Sequence, residues 1–438
     1  MRRRTAVLVT VAAAVAAAGI SIPFLDTSTS AAAPAPSSVG PADVPGSGRS
    51  VIDWNRTLIS ILATPGNQPA TVHPTRSFAM LQAAEYNAVV SVTHSGRPYR
   101  TAVPAAADAR PDVAADQAAH DVLAGLYPSM RPTLDGQLAT ELAALPAGPP
   151  TDDGIAAGAA AAQVMLTQRA SDGATAAPPA FVAGNAPGDY RPTPPAGAPP
   201  MFTGWGAVTP FLLTDAGQFR PAPPTPVSTP AYVATLTEVK DLGRDTSTTR
   251  TADQTAAGRF WSSAPIWTTW NQVAQQLATV QQASLTQATA AFANLDLALA
   301  DTTIALYDAK YQNAVWRPIT AIRAGLPAAP LAADPAWNPL TPTAADPSYP
   351  GAHSALSAAA APVLTAAFGP GQHVTVSSAA EPGVTRSFPS IDAVADEAGL
   401  SRIWAGQHTR LDHEAGQQLG RQVGGLVLDA LPVPATAR

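Results

Sequence analysis

A proline-dense stretch between residues 174 and 230 limits the possible folds of this chain more than any other sequence feature. Proline cannot donate a backbone hydrogen bond and is excluded from the interior of helices and of central strands. The stretch also carries Trp205, Phe211 and Phe219, large apolar side chains that are uncommon in free linkers. We therefore predict that residues 174–230 form an extended segment, wrapped over the surface between two helical regions.

The regions on both sides, residues 51–173 and 231–438, show helical patterns. Apolar side chains recur three or four residues apart in HPTRSFAMLQAAEYNAVVSV, and again behind a capping box that begins at Ser284. Since the β signal is weak, the predicted fold class is all-α, built from helical bundles. Shorter helices are expected at 113–126, 132–145 and 152–169, the last capped at Thr151–Asp153.

The composition excludes several classes of protein. A hydrophobic content of 46% in 438 residues is enough for a large core. The net charge of −6, without a basic stripe, argues against nucleic-acid binding. The chain has no cysteine, so disulfides, thiol nucleophiles and zinc–thiolate sites are excluded.

The N-terminus predicts export. Residues 1–33 have a basic start (MRRR), an apolar run and three small residues at Ala31–Ala33, as a cleavable signal peptide does. An uncleaved anchor is the alternative, and the three arginines also permit twin-arginine export. Residues 34–50 are predicted to be a flexible lead-in. The mature protein is expected to be secreted or extracytoplasmic, with no membrane segment.

Two cationic side chains are seven residues apart in DAKYQNAVWRP, residues 308–318. That spacing is two helical turns, so Lys310 and Arg317 are predicted to project from one helical face. Pro318 disfavours helix at the residue before it, which places the helix end at Arg317. A solvated surface stripe is the alternative interpretation.

A turn that leads into a helix is predicted in DPSYPGAHSALSAAA, residues 346–360. The backbone N–H groups of Gly351, Ala352 and His353 would be free at the helix start, where an anion is favoured. His353 could add a proton or a hydrogen bond. It could equally be an ordinary histidine of a first helical turn.

The third cluster is SRIWAGQHTRLDHEAG, residues 401–416. His408 and Asp412 are four residues apart, so the carboxylate can orient the imidazole on one helix. Arg402 would not share their face of a straight helix, but Gly406 is predicted to break the helix, so that a loop brings Arg402 and His408 together.

A metal site is the rival interpretation of this third cluster. His408, Asp412, His413 and Glu414 are residue types that bind metals. However, His413 and Glu414 are adjacent and point away from the helical face of His408.

Together the clusters form a pattern: Lys, six residues, Arg-Pro; then Pro-x-x-His; then Ser-Arg, five residues, His, three residues, Asp. This resembles the signature of the vanadium haloperoxidase and type 2 phosphatidic-acid phosphatase superfamily. The resemblance also covers RPTPP, TPFLL, RTADQTAAGRFW and LALADTTIALYDAKY, and it points to the soluble bacterial haloperoxidase-like branch. It implies the helical bundles of that superfamily and a C-terminal bundle, 231–438, that holds the site.

The resemblance also implies a cofactor, vanadate, and a role for each residue. His408 would be the vanadium ligand, or the nucleophile that forms a phosphohistidine in a phosphatase. His353 would be the acid–base partner and Asp412 would hold His408. The groups that bind the oxyanion oxygens would be the side chains of Lys310, Arg317 and Arg402 and the backbone N–H groups of Gly351 and Ala352.

The leading activity that the resemblance implies is that of a haloperoxidase, which uses hydrogen peroxide and a halide to modify an organic acceptor. An acid phosphatase acting on phosphate esters and a non-catalytic oxyanion-binding protein are the alternatives. A homodimer is compatible with the resemblance. One departure is that the family turn, Pro-Ser-Gly-His, here reads Pro350-Gly351-Ala352-His353. The lost hydroxyl would cost about 1.5–3 kcal/mol of oxyanion binding.

Overall fold

Thirteen α-helices and one two-stranded sheet make up the part of the chain that the computed structural model describes, residues 44, 46–262, 265–326, 330–378 and 381–433. The predicted signal peptide and most of the lead-in lie outside these residues. No described helix is both long and apolar enough to cross a membrane. The first eight helices are α1 (Arg49–Ala63), α2 (Thr75–Thr93), α3 (Pro111–Leu126), α4 (Arg131–Ala143), α5 (Pro149–Arg169), α6 (Pro230–Leu242), α7 (Ala252–Phe260) and α8 (Ile266–Val280).

The remaining elements carry or surround the three sequence clusters. The only strands among the described residues form an antiparallel hairpin, so the all-α prediction is confirmed. These elements are α9 (Leu285–Asn313), α10 (Pro318–Ala324), α11 (Ala352–Phe368), β1 (Val374–Ser377), β2 (Thr385–Phe388), α12 (Ile391–Trp404) and α13 (Arg410–Ala430).

One predicted helix start is wrong. Helix α5 begins at Pro149 with Gly148 as its N-cap, so Thr151 to Asp153 lie inside the first turn. Proline is well suited to the first helical positions, because its missing N–H has no partner there and its φ angle is already helical. The two prolines therefore extend the helix beyond the polar residues that were expected to cap it.

Helix α9 is the central helix of the fold. It begins with the predicted capping box, in which the Ser284 hydroxyl accepts from Gln287 N at 3.3 Å and the Gln287 side chain accepts from Ser284 N at 3.1 Å. Nearly all of its 29 residues are buried, and α2, α11 and α13 pack around it. Its last turn carries Lys310 to the site.

The proline-dense segment lies against the helices and contains no described α-helix. Trp205 and Phe211 are buried within it. The buried carboxylate of Asp301 on α9 accepts hydrogen bonds from three consecutive backbone N–H groups, at 2.6, 2.7 and 2.8 Å. These belong to Phe211, Leu212 and Leu213, so an ionisable group of the central helix fixes the segment in place.

Helices α11 and α13 pack with their backbones in contact. Three glycines on α13, four residues apart, make this possible: Gly416, Gly420 and Gly424. A Cβ atom at Gly420 would lie 2.0 Å from the carbonyl oxygen of Ala355 on α11. The close packing places the N-terminal ends of the two helices side by side, and the site lies at these ends.

Candidate oxyanion site

The structure brings the five predicted cationic and imidazole side chains into one buried pocket. Arg317 Nη1 lies 3.2 Å from His408 Nε2, and both Arg402 and His353 contact the carbonyl oxygen of Trp261. Lys310 and Arg317 share a further partner, the carboxylate of Asp346. The residues come from the last turns of α9 and α12, the first turn of α11 and the turns before α10 and α13.

Two predicted placements within this pocket are wrong. Helix α9 ends at Asn313, where Ala314 adopts a left-handed conformation, and Arg317 is the extended N-cap of α10. Arg317 therefore reaches Lys310 through a turn and not along one helical face. His408 likewise precedes α13, whose N-cap is Thr409. The predicted break at Gly406 is confirmed, since its φ of +78° is one that glycine adopts without strain.

The turn before α11 supplies fewer backbone donors than predicted. The Gly351 N–H donates to the carbonyl oxygen of Asp412 at 2.8 Å, so it serves the packing of α11 on α13. The predicted contact of this N–H with an oxyanion is therefore wrong in this structure. Ala352 and His353 are the first residues of α11, and no described hydrogen bond uses their N–H groups.

His408 has an uncharged ring with a free electron pair. Burial, and then the positive charge of Arg317, lower its pKa from 6.5 to about 3. Because Arg317 Nη1 is a donor, the Nε2 atom that it faces must be the unprotonated nitrogen of the ring. An imidazole in this state presents Nε2 as a ligand or nucleophile.

Asp412 holds the other side of the imidazole. Its Oδ2 lies 3.5 Å from His408 Nδ1 and accepts from Ser348 Oγ at 2.7 Å and Thr409 N at 2.7 Å. Burial alone would raise the pKa of this carboxyl, but His408, Thr409 and Ser348 together lower it. Asp412 is therefore ionised and fixes the proton of His408 on Nδ1. Ser348 has no distinguishing spacing in the sequence.

His353 and Arg402 converge on one carbonyl group. His353 Nε2 lies 3.0 Å from Trp261 O, so this nitrogen carries the proton, and burial followed by the charge of Arg402 lowers the pKa of the ring well below 6.5. Arg402 Nη1 donates to the same oxygen at 3.3 Å. The buried Nε of Arg402 has no hydrogen-bond partner among the described residues. This unused donor indicates that Arg402 Nε can bind an anionic ligand.

A carboxylate that sequence reasoning missed lies within the cationic pocket. Asp346 binds Arg317 through Oδ1 and lies 3.5 Å from Lys310 Nζ through Oδ2. Burial raises the pKa of Asp346, but Lys310 and Arg317 outweigh this effect and lower it, so the group is ionised. In turn, burial lowers the pKa of Lys310 to about 8. A single aspartate in a loop has no periodicity by which the sequence could have revealed it.

A cleft of about 260 Å³ leads to His353. Its lining includes His73, Trp267 and Tyr307, and the His73 ring lies 4.6 Å from that of Trp267. Burial lowers the pKa of His73 to about 3, so the wall is uncharged, and Trp267 and Tyr307 are its large aromatic side chains. A larger cavity of about 470 Å³, along the proline-dense segment, has no ionisable group in its lining.

The rival metal cluster is not assembled. His413 is buried against α11, where its Nδ1 lies 2.8 Å from Ser354 Oγ. Among the described residues, no three His, Asp or Glu side chains are grouped as a metal site would require.

Comparisons with known proteins concern the family and the fold of the chain. A family model described as the VCPO second helical-bundle domain matches residues 290–432, which carry all three clusters. The fold is similar to that of a bacterial vanadium-dependent iodoperoxidase, with a TM-score of 0.75 and 25% identity over 91% of this chain and 100% of that one. Together these matches support a relationship with the vanadium haloperoxidase and PAP2-like superfamily.

Two further solved structures extend the likeness in fold. A holo-type bacterial vanadium-dependent chloroperoxidase has a TM-score of 0.66 at 17% identity, over 87% of this chain and 96% of that one. An apo-type bacterial chloroperoxidase has a TM-score of 0.61 at 17% identity, over 84% and 95%. No curated protein matches the chain in sequence.

The pocket fits a tetrahedral oxyanion. It offers three cationic side chains, the unpartnered Nε of Arg402, and the free electron pair of His408 Nε2. Charge-assisted donors of this kind are what vanadate or phosphate requires. Among the described residues, Asp346 is the one carboxylate that contacts both Lys310 and Arg317.

Proposed function

We propose that this protein is a vanadium-dependent haloperoxidase that uses hydrogen peroxide to oxidise a halide. The observation that supports this most is the uncharged Nε2 of His408, buried among cationic side chains in a fold shared with an iodoperoxidase. When bound, vanadate supplies the Lewis acid that activates peroxide. His408, with Lys310, Arg317 and Arg402, is the set of residues that would hold it.

The remaining residues orient the ring of His408, exchange a proton with the substrate and form the uncharged wall of the cleft. Asp412 and Ser348 keep the proton of His408 on Nδ1, which leaves Nε2 free to bind. His353 lies at the end of the cleft, where its ring can exchange a proton with a small molecule that enters. The aromatic wall at Trp267 and Tyr307 has no charge, so it suits a neutral acceptor or a weakly hydrated halide such as iodide.

Vanadate reconstitution tests the proposal. Purified protein, stripped of oxyanions, is assayed for peroxide-dependent iodide oxidation with and without added vanadate, and for hydrolysis of a chromogenic phosphate ester. We expect oxidation only after vanadate is added, and inhibition of that oxidation by excess phosphate, because both anions need the same cations. Ester hydrolysis without vanadate-dependent oxidation would establish a phosphatase instead.

We also propose that the mature protein is exported, on the basis of the basic and apolar N-terminal sequence. Expression of the full chain in a bacterial host, followed by fractionation and N-terminal sequencing, tests this. Processed protein outside the cytoplasm, beginning near residue 34, is the expected result. A full-length N-terminus in the membrane fraction would establish the uncleaved anchor.

A further inference from the structure

We propose that Asp346 makes the pocket select an oxyanion that carries a hydroxyl, such as hydrogen phosphate or hydrogen vanadate, over one that carries none, such as sulfate. The inference depends on the oxyanion site of the proposed function but not on peroxidase activity. It concerns which chemical form of anion the pocket accepts.

The first step is that the carboxylate of Asp346 is already paired with two of the cations, Arg317 and Lys310. Its carboxylate is buried, binds Arg317 and lies 3.5 Å from Lys310 Nζ. Its backbone oxygen accepts from Arg317 Nε at 2.8 Å. The rest of the Lys310 ammonium faces the carbonyl oxygens of Pro347 and Ser348. The segment 346–348 therefore already supplies acceptors to both cations.

The second step is that an incoming anion must lie beside this carboxylate. Arg317 and Lys310 are both bound to Asp346, so an oxyanion that contacts either cation approaches Asp346 closely. Two anions at contact distance repel strongly in a buried pocket. The net charge of Lys310, Arg317, Arg402 and Asp346 is also smaller than that of the three cations alone.

The third step concerns hydrogen bonds. An ionised carboxylate can only accept, so it needs a donor on the ligand. A hydroxyl on hydrogen phosphate or hydrogen vanadate provides this donor, and the repulsion becomes a charge-assisted hydrogen bond. Sulfate has no proton near neutral pH, and so its oxygens would meet the Asp346 carboxylate without compensation. Discrimination of roughly tenfold or more follows from one such mismatched contact.

Isothermal titration with inorganic phosphate and with sulfate at pH 7 tests the proposal. We expect the wild-type protein to bind phosphate roughly tenfold or more tightly than sulfate. In Asp346→Asn the amide can donate to either anion, and in Asp346→Ser the charge is removed and the side chain shortened. Both variants should lose most of the preference, mainly by binding sulfate more tightly. Circular dichroism establishes that each variant is folded, and either variant alone is sufficient.

Asp172→Asn is the matched control. Asp172 is also a buried carboxylate between two arginines, 2.7 Å from Arg76 Nε and 2.8 Å from Arg169 Nη2, but outside the pocket. This variant should keep the phosphate preference. Equal binding of the two anions by wild-type protein, or an unchanged preference in the Asp346 variants, overturns the role of Asp346 alone. Absence of binding of either anion by every folded form overturns the oxyanion site as well.

Discussion

The chemistry of the pocket depends on the protonation of one imidazole. Because the cations and the burial act in the same direction on His408, its ring remains neutral across the range in which proteins are usually assayed. Its Nδ1 proton is held by Asp412 and Ser348, so the ring nitrogen toward the cations is always the one with the free electron pair. The histidine is therefore prepared as a ligand before any oxyanion arrives.

His408→Ala is expected to abolish vanadate-dependent oxidation, because it removes the uncharged Nε2 that faces Arg317. Asp412→Ala should lower activity about ten- to a hundredfold, since it orients the ring without reacting. Initial rates after vanadate reconstitution are the measurement.

His413→Ala is the matched control for this comparison. His413 is a buried histidine five residues further along the chain, bonded to Ser354 outside the pocket. Its removal should lower the melting temperature and leave most activity intact. If His413→Ala lost activity while His408→Ala kept it, our assignment of the site would be wrong.

The part of the site that the sequence predicted is the part whose residues lie at regular spacings along the chain. The Lys310–Arg317 and Arg402–His408–Asp412 intervals predicted which residues meet. The intervals did not predict the geometry by which these residues meet, because the chain changes direction at Ala314, which is left-handed, and at Gly406, which has a positive φ. Asp346 and His73 belong to no interval, and only the folding of distant loops brings them to the pocket. Long-range packing of single residues leaves no local trace in a sequence.

At the scale of elements, the packing of α11 on α13 sets the position of the site. The two helices approach so closely because the residues between them are glycine and alanine, Gly420 against Ala355 being the tightest contact. The sequence predicted one helix after the turn at Gly351 and another after the break at Gly406, but it did not predict this contact, which depends on the absence of a side chain.

Gly420→Ala is expected to lower the free energy of unfolding by about 3 kcal/mol, since the new methyl group overlaps backbone atoms of α11 that cannot move locally. Gly425→Ala, on the same helix, meets no atom within 4 Å and should stabilise the protein by about 0.5–1 kcal/mol. Urea denaturation of the two variants measures both effects. Equal effects in the same direction would contradict backbone contact between α11 and α13.

Asp301→Asn tests the attachment of the proline-dense segment to α9. Asparagine has one acceptor oxygen where three backbone N–H groups now share two, and its amide hydrogens would oppose those groups. We expect a loss of about 3 kcal/mol of stability, measured by urea denaturation. Asp215→Asn removes an exposed carboxylate from the same segment, one that accepts from Gly217 N at 2.8 Å and from Thr214 Oγ1 at 3.4 Å, and should cost less than about 1 kcal/mol.

Across the whole molecule, buried carboxyl groups on the helices make stability depend on pH. Burial raises the pKa of Asp296 from 3.8 to about 8 and that of Asp116 to about 7, and it raises that of Glu85 as well. These groups bind protons in the folded chain that the unfolded chain releases. Their contribution to stability is therefore full below about pH 4 and is lost as the pH rises toward 8.

We expect the free energy of unfolding to fall between pH 6.5 and pH 8, by up to about 1.4 kcal/mol per pH unit for each group still protonated. The buried histidines, whose pKa values are lowered, partly oppose this fall near pH 6.5, where the unfolded chain still binds protons at histidine, and they add little slope above about pH 7.5. Asp296→Asn removes one of the carboxyl groups and should flatten the dependence. The exposed Asp429→Asn should leave it unchanged, and urea denaturation at the two pH values compares them.

The attachment at Asp301 also imposes an order on folding. Phe211 to Leu213 find their hydrogen-bond acceptor 88 to 90 residues later in the chain. A polypeptide that emerges N-terminus first cannot dock the proline-dense segment until α9 has been synthesised. Until then α1 and α2 lack the helix on which they pack. The N-terminal half of this protein therefore cannot complete its folding until α9, in the C-terminal half, has been synthesised.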